Sequence, residues 1–236
     1  MKLKELESEL QPLKGFDEPK RELEQYVTSP HLASRMIYTA ATQFDDIDEK
    51  IILDLGCGCA VLSIACVMMG AESVTSVDMD PDALAIAKEN VEEVEMEEHI
   101  RFIHAEIGSR PKGNASTTPT SKPPGEGGVP IFDPTSILEE EEQRPDTVVM
   151  NPPFGTWNKG IDAVFLEIGC QLAKTAVYSL NKSSTREFLE RKAKSLGFNG
   201  TVIAQMRYDL PKTMAHHKQK SVDIEVDMWR FERIAK

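Results

Sequence analysis

A glycine-rich turn with two acids nearby is the first group of residues in this sequence that could do chemistry. The segment DLGCGCA runs from Asp54 to Ala60, and Gly56 and Gly58 let the backbone turn tightly and approach a ligand without interference from a Cβ atom. Asp78 ends the next apolar run, 22 residues after Gly56, where its carboxylate can accept hydrogen bonds from two ribose hydroxyls. These residues predict a site for a cofactor that contains adenosine, with a plain strand-to-helix turn as the alternative.

Details of this turn favour S-adenosylmethionine over a nicotinamide cofactor. A dinucleotide site would have a third glycine where this chain has Val61. It would also have no use for Asp54, whereas an acid suits a cationic methionine moiety. Glu106 and Ile107 follow the next apolar run and could contact the cofactor's adenine, Glu106 by accepting from the amine and Ile107 by covering one face. A solvated loop acid is the alternative for Glu106.

A second motif, Asn151-Pro152-Pro153-Phe154, indicates what the methyl acceptor is. Two consecutive prolines exclude a helix and fix an extended, rigid loop. The Asn151 side-chain oxygen and the Pro152 carbonyl can both accept from one NH2 group, which aims the nitrogen lone pair at a methyl donor. Phe154 can stack on a planar base. We therefore predict that these four residues form the site of methyl transfer to an aromatic amine, with a simple Pro-Pro turn as the alternative.

The elements around these motifs alternate between strands and helices. Apolar runs predict strands at Ile51–Gly56, Ser73–Asp78, Arg101–His104, Thr147–Met150, Ala176–Ser179 and Thr201–Met206. Helices are predicted at Ala60–Met69, Pro81–Val94, Ile161–Lys174 and Thr185–Leu196. This alternation predicts a parallel, doubly wound sheet, in which ligands bind beyond the carboxyl ends of the strands. The last strand, Ser221–Phe231, should be antiparallel and lie at the edge with one wet face.

The chain of 236 residues is long enough for one sizeable α/β domain, and we predict a single domain over 1–236. Residues 109–145 contain 7 of the 14 prolines and a run of glutamates, so this segment is expected to be a disordered insertion within a loop. The four cysteines include no CxxC pair and no His/Cys cluster has zinc spacing, so we predict no metal site. Cys66 and Cys170 lie in helix-like apolar patterns and are expected to be core thiols. No apolar stretch is long enough for a membrane span, so we expect a soluble intracellular protein.

Charge is unevenly distributed along the chain. The net charge is −12, but the segment from Cys170 to Lys236 has 13 Lys or Arg against 7 Asp or Glu. A basic segment on an acidic body could bind phosphates, although it could also be a solvated surface. We predict that Lys182, Arg186, Lys218 and Lys220 hold the phosphates of a nucleic acid around a splayed-out base.

Several longer segments identify a family resemblance. DLGCGCAVLS, VDMDPDAL, MNPPFGTWNKGIDAVFL, AVYSLNKSSTRE and RYDLPKTMAHHKQKSVDIEVDMWRFE resemble the eukaryotic METTL-type enzymes that make N6-methyladenosine in 18S ribosomal RNA. The resemblance extends from about Glu24 to Phe231. Two departures are Ala60, where the family has glycine, and the insertion at 109–145, which is much longer than expected.

The resemblance implies a Rossmann-like, seven-stranded class I methyltransferase fold that uses S-adenosylmethionine. Asn151 and Phe154 would lie at the transfer site, and the segment from Gln25 to Pro30 would fold over the cofactor. The implied cofactor-binding residues are Gln25, Thr28, Gly56, Cys59, Val61, Asp78, Glu106 and Ile107. The resemblance also implies a heterodimer with a small zinc-binding methyltransferase activator protein, a ribosomal RNA substrate, and a location in the nucleus and cytoplasm.

Three other functions stay open at this point. A protein methyltransferase that acts on glutamine amides uses a similar Asn-Pro-Pro motif, but usually with Tyr in the fourth position. A DNA adenine methyltransferase would normally have a separate target-recognition region, for which this chain has no room. A catalytically idle binding subunit would have lost Asp78, Asn151 or Phe154, and all three are present.

Overall fold

The computed structural model describes residues 1–108, 129–134, 144–210 and 222–235. In these residues seven strands form one sheet: β1 (Ile51–Leu55), β2 (Ser73–Asp78), β3 (Ile100–His104), β4 (Thr147–Met150), β5 (Ala176–Lys182), β6 (Phe198–Leu210) and β7 (Val222–Arg233). The described α-helices are α1 (Leu3–Leu10), α2 (Pro30–Phe44), α3 (Val61–Met68), α4 (Pro81–Glu93), α5 (Ile161–Leu172) and α6 (Arg186–Ser195).

The sheet has the strand order β3-β2-β1-β4-β5-β7-β6. The strands from β3 to β5 pair in parallel, and β7 pairs antiparallel with both β5 and β6. Helices connect the successive parallel strands β1, β2 and β3, as the alternating pattern predicts. The predicted class I methyltransferase fold with an antiparallel last strand is therefore confirmed.

The pairing register brings the predicted motifs to the same edge of the sheet. Leu55 of β1 is level with Val77 of β2 and with Met150 of β4. The chain order reverses between β1 and β4, which opens a crevice beyond the carboxyl ends of these two neighbouring strands. The glycine-rich turn and the Asn-Pro-Pro-Phe motif begin at these ends, so the topology places them on the two sides of that crevice.

The prediction that the last strand is an edge strand with one wet face is wrong. β7 lies between β5 and β6, and β6 is the edge strand. Both faces of β7 are covered: Val226 and Met228 belong to one buried cluster, and Trp229 and Phe231 belong to the other. The alternation of polar and apolar residues in β7 does not mark an exposed face, because the polar Asp227 is fully buried. Its charge is paired with Arg186.

Two helices near the N-terminus extend one side of the core, and the strand-helix pattern did not predict them. Leu6 and Leu10 of α1 are fully buried and join the same apolar cluster as Met36 and Ile37 of α2. α2 begins at Pro30, and the Ser29 hydroxyl accepts a hydrogen bond from the Leu32 N–H at 3.3 Å. A serine N-cap followed by proline fixes a helix start and stabilises it by about 1 kcal/mol.

Part of the segment expected to be disordered is ordered. Ile131 forms a parallel bridge with Glu106, and the Phe132 side chain is 3% exposed within the core. The prediction of disorder rests on the overall composition of 109–145. It does not take into account that a single apolar residue, Phe132, can anchor part of the segment in the core. Residues 109–128 and 135–143 of that prediction lie outside the described residues.

Neither a membrane-spanning helix nor a metal-binding cluster occurs in the part of the chain that the structure describes. None of the helices there is long and apolar enough to cross a membrane. The same residues contain no group of three or more His, Cys, Asp or Glu side chains arranged to hold a metal ion. All four cysteines are buried free thiols, which confirms the core positions predicted for Cys66 and Cys170.

Candidate active site

A cavity of about 290 Å³ lies at the carboxyl ends of the central strands. All nine residues predicted to bind the cofactor line it: Gln25, Thr28, Gly56, Gly58, Cys59, Val61, Asp78, Glu106 and Ile107. Asn151 and Pro153 of the second motif line the same cavity, whereas Pro152 and Phe154, both buried, are outside the lining set. The cofactor prediction and the acceptor prediction therefore meet in one site.

The glycine turn is shaped by two aromatic rings as well as by the backbone. Gly56 and Gly58 have φ of 72° and 53°, which L-residues with side chains rarely adopt. A Cβ atom on Gly56 would lie 3.0 Å from the Phe165 ring, and one on Gly58 would lie 3.0 Å from the Phe16 ring. Sequence reasoning missed both rings, because each comes from a segment distant along the chain and has no local signal.

Ala60 occupies the position at which the resembling family has glycine. It has φ of 66°, it is fully buried, and it precedes the first residue of α3. Left-handed backbone costs an alanine about 1–2 kcal/mol. The turn therefore keeps its left-handed shape despite the extra methyl group.

Asp78 ends β2 with a half-buried carboxylate in the cavity wall. One oxygen accepts from the Gly58 N–H at 2.8 Å, and the other accepts from the Asp80 N–H at 2.9 Å. Burial raises the pKa of Asp78, and these two N–H groups offset part of that effect. Each oxygen retains a lone pair, so the carboxylate fits the predicted contact with ribose hydroxyls.

Asp54 is not where its predicted role requires it. The side chain is fully buried and does not line the cavity; one oxygen accepts from the Ser63 hydroxyl at 2.6 Å. Burial raises the pKa of Asp54 to about 7, and its other oxygen has no hydrogen-bond partner. The carboxyl therefore joins the turn to α3 inside the core, outside the lining of the cavity.

The end of β3 contributes Glu106 and Ile107 to the cavity. The Glu106 backbone pairs with the Pro130 to Phe132 segment: its N–H donates to the Pro130 carbonyl, and its carbonyl accepts from the Phe132 N–H, both at 2.8 Å. This pairing fixes the backbone and leaves the Glu106 side chain exposed, while Ile107 is buried. Both positions fit their predicted contacts with an adenine.

The cavity is covered by residues 16–28, which we call the strap. Its Lys20 and Gln25 side chains each donate to Asp80, at 2.5 Å in both cases. Burial alone would raise the pKa of Asp80, but these two hydrogen bonds lower it below its ordinary value. Asp80 also accepts from the Asp82 N–H at 3.1 Å and begins α4, so the strap is tied to the start of that helix.

The strap also contacts the acceptor motif. The Asn151 Nδ2 donates to the Thr28 hydroxyl at 2.9 Å, which leaves Oδ1 as a buried acceptor without a hydrogen-bond partner. Leaving such an acceptor unsatisfied costs about 1–3 kcal/mol. The Asn151 amide is therefore oriented to accept a hydrogen bond that the protein itself does not supply.

Phe154 and Tyr26 of the strap form an aromatic pair beside Asn151. Their ring centroids are 6.3 Å apart and their planes differ by 23°. The Lys182 Nζ lies 5.7 Å from the Phe154 centroid and 3.2 Å from the Thr156 hydroxyl. Two aromatic rings and a cation therefore lie together at the Asn-Pro-Pro-Phe motif.

The structure describes two of the four residues predicted to bind phosphates. Lys182 lies at the site, but Arg186 forms a bidentate ion pair with buried Asp227, at 2.6 and 2.7 Å. This pair compensates a buried charge, so we correct Arg186 from a phosphate contact to a structural residue. Lys218 and Lys220 lie outside the described residues.

The residues of the cavity fit S-adenosylmethionine. Asp78 would hold the ribose, Glu106 and Ile107 the adenine, and the Gly56 to Gly58 backbone the part of the cofactor that passes the turn. Asn151 lies at the other side of the crevice with its unused acceptor. When bound, the cofactor supplies an electrophilic methyl group on a sulfonium, and the Asn-Pro-Pro-Phe motif supplies the acceptor side.

Comparisons with known proteins agree with this geometry. Residues 28–116 match the family model for ribosomal protein L11 methyltransferase (PrmA). The chain is 45% identical to rRNA N(6)-adenosine-methyltransferase METTL5 of Danio rerio over 232 residues, which cover 98% of this chain and 99% of the relative. It is 40% identical to rRNA N(6)-adenosine-methyltransferase Mettl5 of Drosophila melanogaster over 233 residues, which cover 98% and 97%.

Solved structures share the same architecture. Protein PH1948 of Pyrococcus horikoshii aligns over 100% of this chain and 99% of its own, with a TM-score of 0.77 and 29% identity. The S-adenosylmethionine-bound magnesium protoporphyrin IX methyltransferase of Synechocystis has a TM-score of 0.56 at 12% identity, which shows the fold alone. The full-length identities settle the family: the chain belongs to the METTL5 rRNA N(6)-adenosine-methyltransferases, and is an S-adenosylmethionine-dependent methyltransferase.

Proposed function

We propose that this enzyme methylates the N6 amine of an adenosine in small-subunit (18S) ribosomal RNA. The observation on which the proposal depends is the Asn151 Oδ1 atom, a buried acceptor beside the cofactor cavity that has no hydrogen-bond partner among the described residues. An exocyclic NH2 group is a donor that would satisfy it. The relatives from Danio rerio and Drosophila melanogaster, named as rRNA N(6)-adenosine-methyltransferases, support adenosine as the source of that amine.

The motif residues act by orientation and polarisation. The lone pair of an adenine amine is delocalised into the ring, so the protein must aim it and reduce that delocalisation. Asn151 Oδ1 and the Pro152 carbonyl would accept the two N–H groups, while the ring of Phe154 stacks on the base. No general base is required before attack, because the amine proton becomes acidic only after methylation. Because Oδ1 is closed to water in this structure, the residues around it must shift locally to admit the base.

Identification of the labelled product tests the proposal. The purified chain would be incubated with methyl-tritiated S-adenosylmethionine and, in parallel, ribosomal RNA, DNA and a release-factor protein. We expect label in the small-subunit RNA, and N6-methyladenosine after nuclease digestion and mass spectrometry. Label in the release factor would replace the proposal with a glutamine methyltransferase, and label in DNA with a DNA adenine methyltransferase. Label in none of them would favour an idle binding subunit.

We also propose a heterodimer with a small zinc-binding activator protein, acting in the nucleus and cytoplasm. The family resemblance supports this partner. Exposed apolar surface near β3, the edge strand opposite β6, supports it as well: Ile131, which pairs with Glu106 just beyond β3, is 47% exposed. Co-expression with the activator should raise the melting temperature and the yield of soluble protein. Equal values with and without it would contradict the proposed heterodimer.

A further inference from the structure

Glu24 of the strap is a buried acid that the predicted site does not include. Its backbone is left-handed, with φ of 52°, and its side chain is 6% exposed. Oε1 accepts from the N–H groups of Thr156 and Trp157, at 2.6 and 3.0 Å, just after the Asn-Pro-Pro-Phe motif. Oε2 is buried and has no hydrogen-bond partner in the part of the chain that the structure describes. Glu24 therefore fixes the loop after the motif and retains one unused acceptor.

The charge of the cavity indicates what this acceptor binds. Among the described residues that line the cavity there are four acids, Glu22, Glu24, Asp78 and Glu106, and no Lys, Arg or His. No described cationic side chain forms an ion pair with Glu24. A buried carboxylate is costly unless it is paired and fully hydrogen-bonded. The cavity is therefore suited to a ligand that brings its own positive charge.

The position of Glu24 indicates which cationic group of the cofactor it could contact. Asp78 and Glu106, at the ends of β2 and β3, are the positions for ribose and adenine. Glu24 instead contacts the loop that follows Asn151, at the opposite side of the crevice. The methionine portion of the cofactor must extend toward that side, because the methyl group has to face Asn151. We propose that the Glu24 carboxylate pairs with the α-ammonium group of this methionine portion.

A pair of ligands isolates this contact. S-adenosylhomocysteine contains the α-ammonium group, and S-adenosyl-4-thiobutanoate is the same molecule with hydrogen in its place. Isothermal titration calorimetry on the wild-type chain should show binding about 10- to 100-fold weaker for the second ligand, as expected for loss of a hydrogen bond between charged groups. Equal affinity for the two ligands would overturn the proposal without need of any variant.

The E24Q variant tests whether Glu24 makes this contact with the ammonium group. The glutamine amide oxygen can still accept from Thr156 and Trp157, but its NH2 group replaces the acceptor for the ammonium. We expect E24Q to bind S-adenosylhomocysteine about 10- to 100-fold more weakly and the thiobutanoate ligand with wild-type affinity, which also shows that the variant is folded. E18Q, which changes an exposed acid of the strap outside the cavity lining, should bind both ligands like the wild type.

Two results with these variants would overturn the proposal. If E24Q lost affinity for both ligands equally, Glu24 would shape the cavity without recognising the ammonium group. The same selective loss of affinity for S-adenosylhomocysteine in E18Q as in E24Q would assign the effect to the net charge of the strap and not to a contact with Glu24. Because no RNA is present in these titrations, either result leaves the proposed acceptor unaffected.

Discussion

Replacing Thr28 with valine tests whether the strap orients the catalytic amide. The Thr28 hydroxyl is the acceptor for the Asn151 Nδ2, at 2.9 Å, and it thereby leaves Oδ1 free for the acceptor amine. Valine has nearly the same shape but cannot accept this hydrogen bond. In T28V the Asn151 amide loses the contact that distinguishes its two orientations. A fraction of the enzyme molecules then presents the NH2 group of Asn151 where the acceptor amine needs the Asn151 oxygen.

The expected size of the effect follows from that single hydrogen bond. A net contribution of about 0.5–1.5 kcal/mol corresponds to a rate reduction of about 2- to 12-fold. Single-turnover methyl transfer at saturating cofactor and RNA is the appropriate assay, because Thr28 also lines the cofactor cavity and saturation removes effects on binding. T28S retains the hydroxyl and is the matched control, for which we expect a rate close to that of the wild type.

Two results would refute this reasoning. A wild-type rate for T28V at saturation would show that the Asn151 amide does not depend on the strap for its orientation. A T28S rate as slow as that of T28V would assign the effect to the methyl group of Thr28 and not to its hydroxyl.

Two further predictions concern pH and salt. Because burial raises the pKa of Asp54 to about 7 from an unfolded value of about 4, the wild type should lose stability relative to D54N as the pH rises from 5 to 8. Urea midpoints at these two pH values measure this, and a constant difference between the variants would contradict it. K182Q should reduce the slope of log affinity for RNA against log salt by about 0.7–0.9, as for one lost phosphate contact. K174Q is the control: it changes a lysine paired with Asp146 at 3.6 Å, close to the start of β5, and should leave the slope unchanged. An unchanged slope in K182Q would mean that Lys182 does not contact the RNA.

The fold could be predicted from the sequence where local pattern and topology agree. The buried run Thr147–Met150 reads as a central strand, and Asp80 with Pro81 reads as a helix start, because each signal lies within a few residues. Parallel strands then place the glycine turn and Asn151 together without further information. The position of β7 could not be predicted, since the order of strands depends on packing between segments distant in sequence. In addition, a buried aspartate such as Asp227 cannot be distinguished from a solvent-exposed one by residue type alone.

The candidate site was predictable in its motifs but not in the contacts that connect them. Glu24 and Thr156 are 132 residues apart, and no local pattern indicates that a strap carboxylate accepts from that N–H. Asp54 and Arg186 have the residue types expected of binding groups, yet their partners, Ser63 and Asp227, hold them in structural roles. A side chain's type limits its chemistry, but its burial and partners decide whether that chemistry is available to a ligand.

The N151A variant tests the central claim most directly, since that claim is a polarised amine held by the Asn151 oxygen. S-adenosylhomocysteine affinity measured by calorimetry and single-turnover methyl transfer to small-subunit RNA would be compared between N151A and the wild type. We predict an affinity within about twofold of the wild type and a transfer rate lower by on the order of 100-fold or more, as when one preorganised polar group is removed from an active site. A transfer rate within a few-fold of the wild type would contradict the role assigned to Asn151.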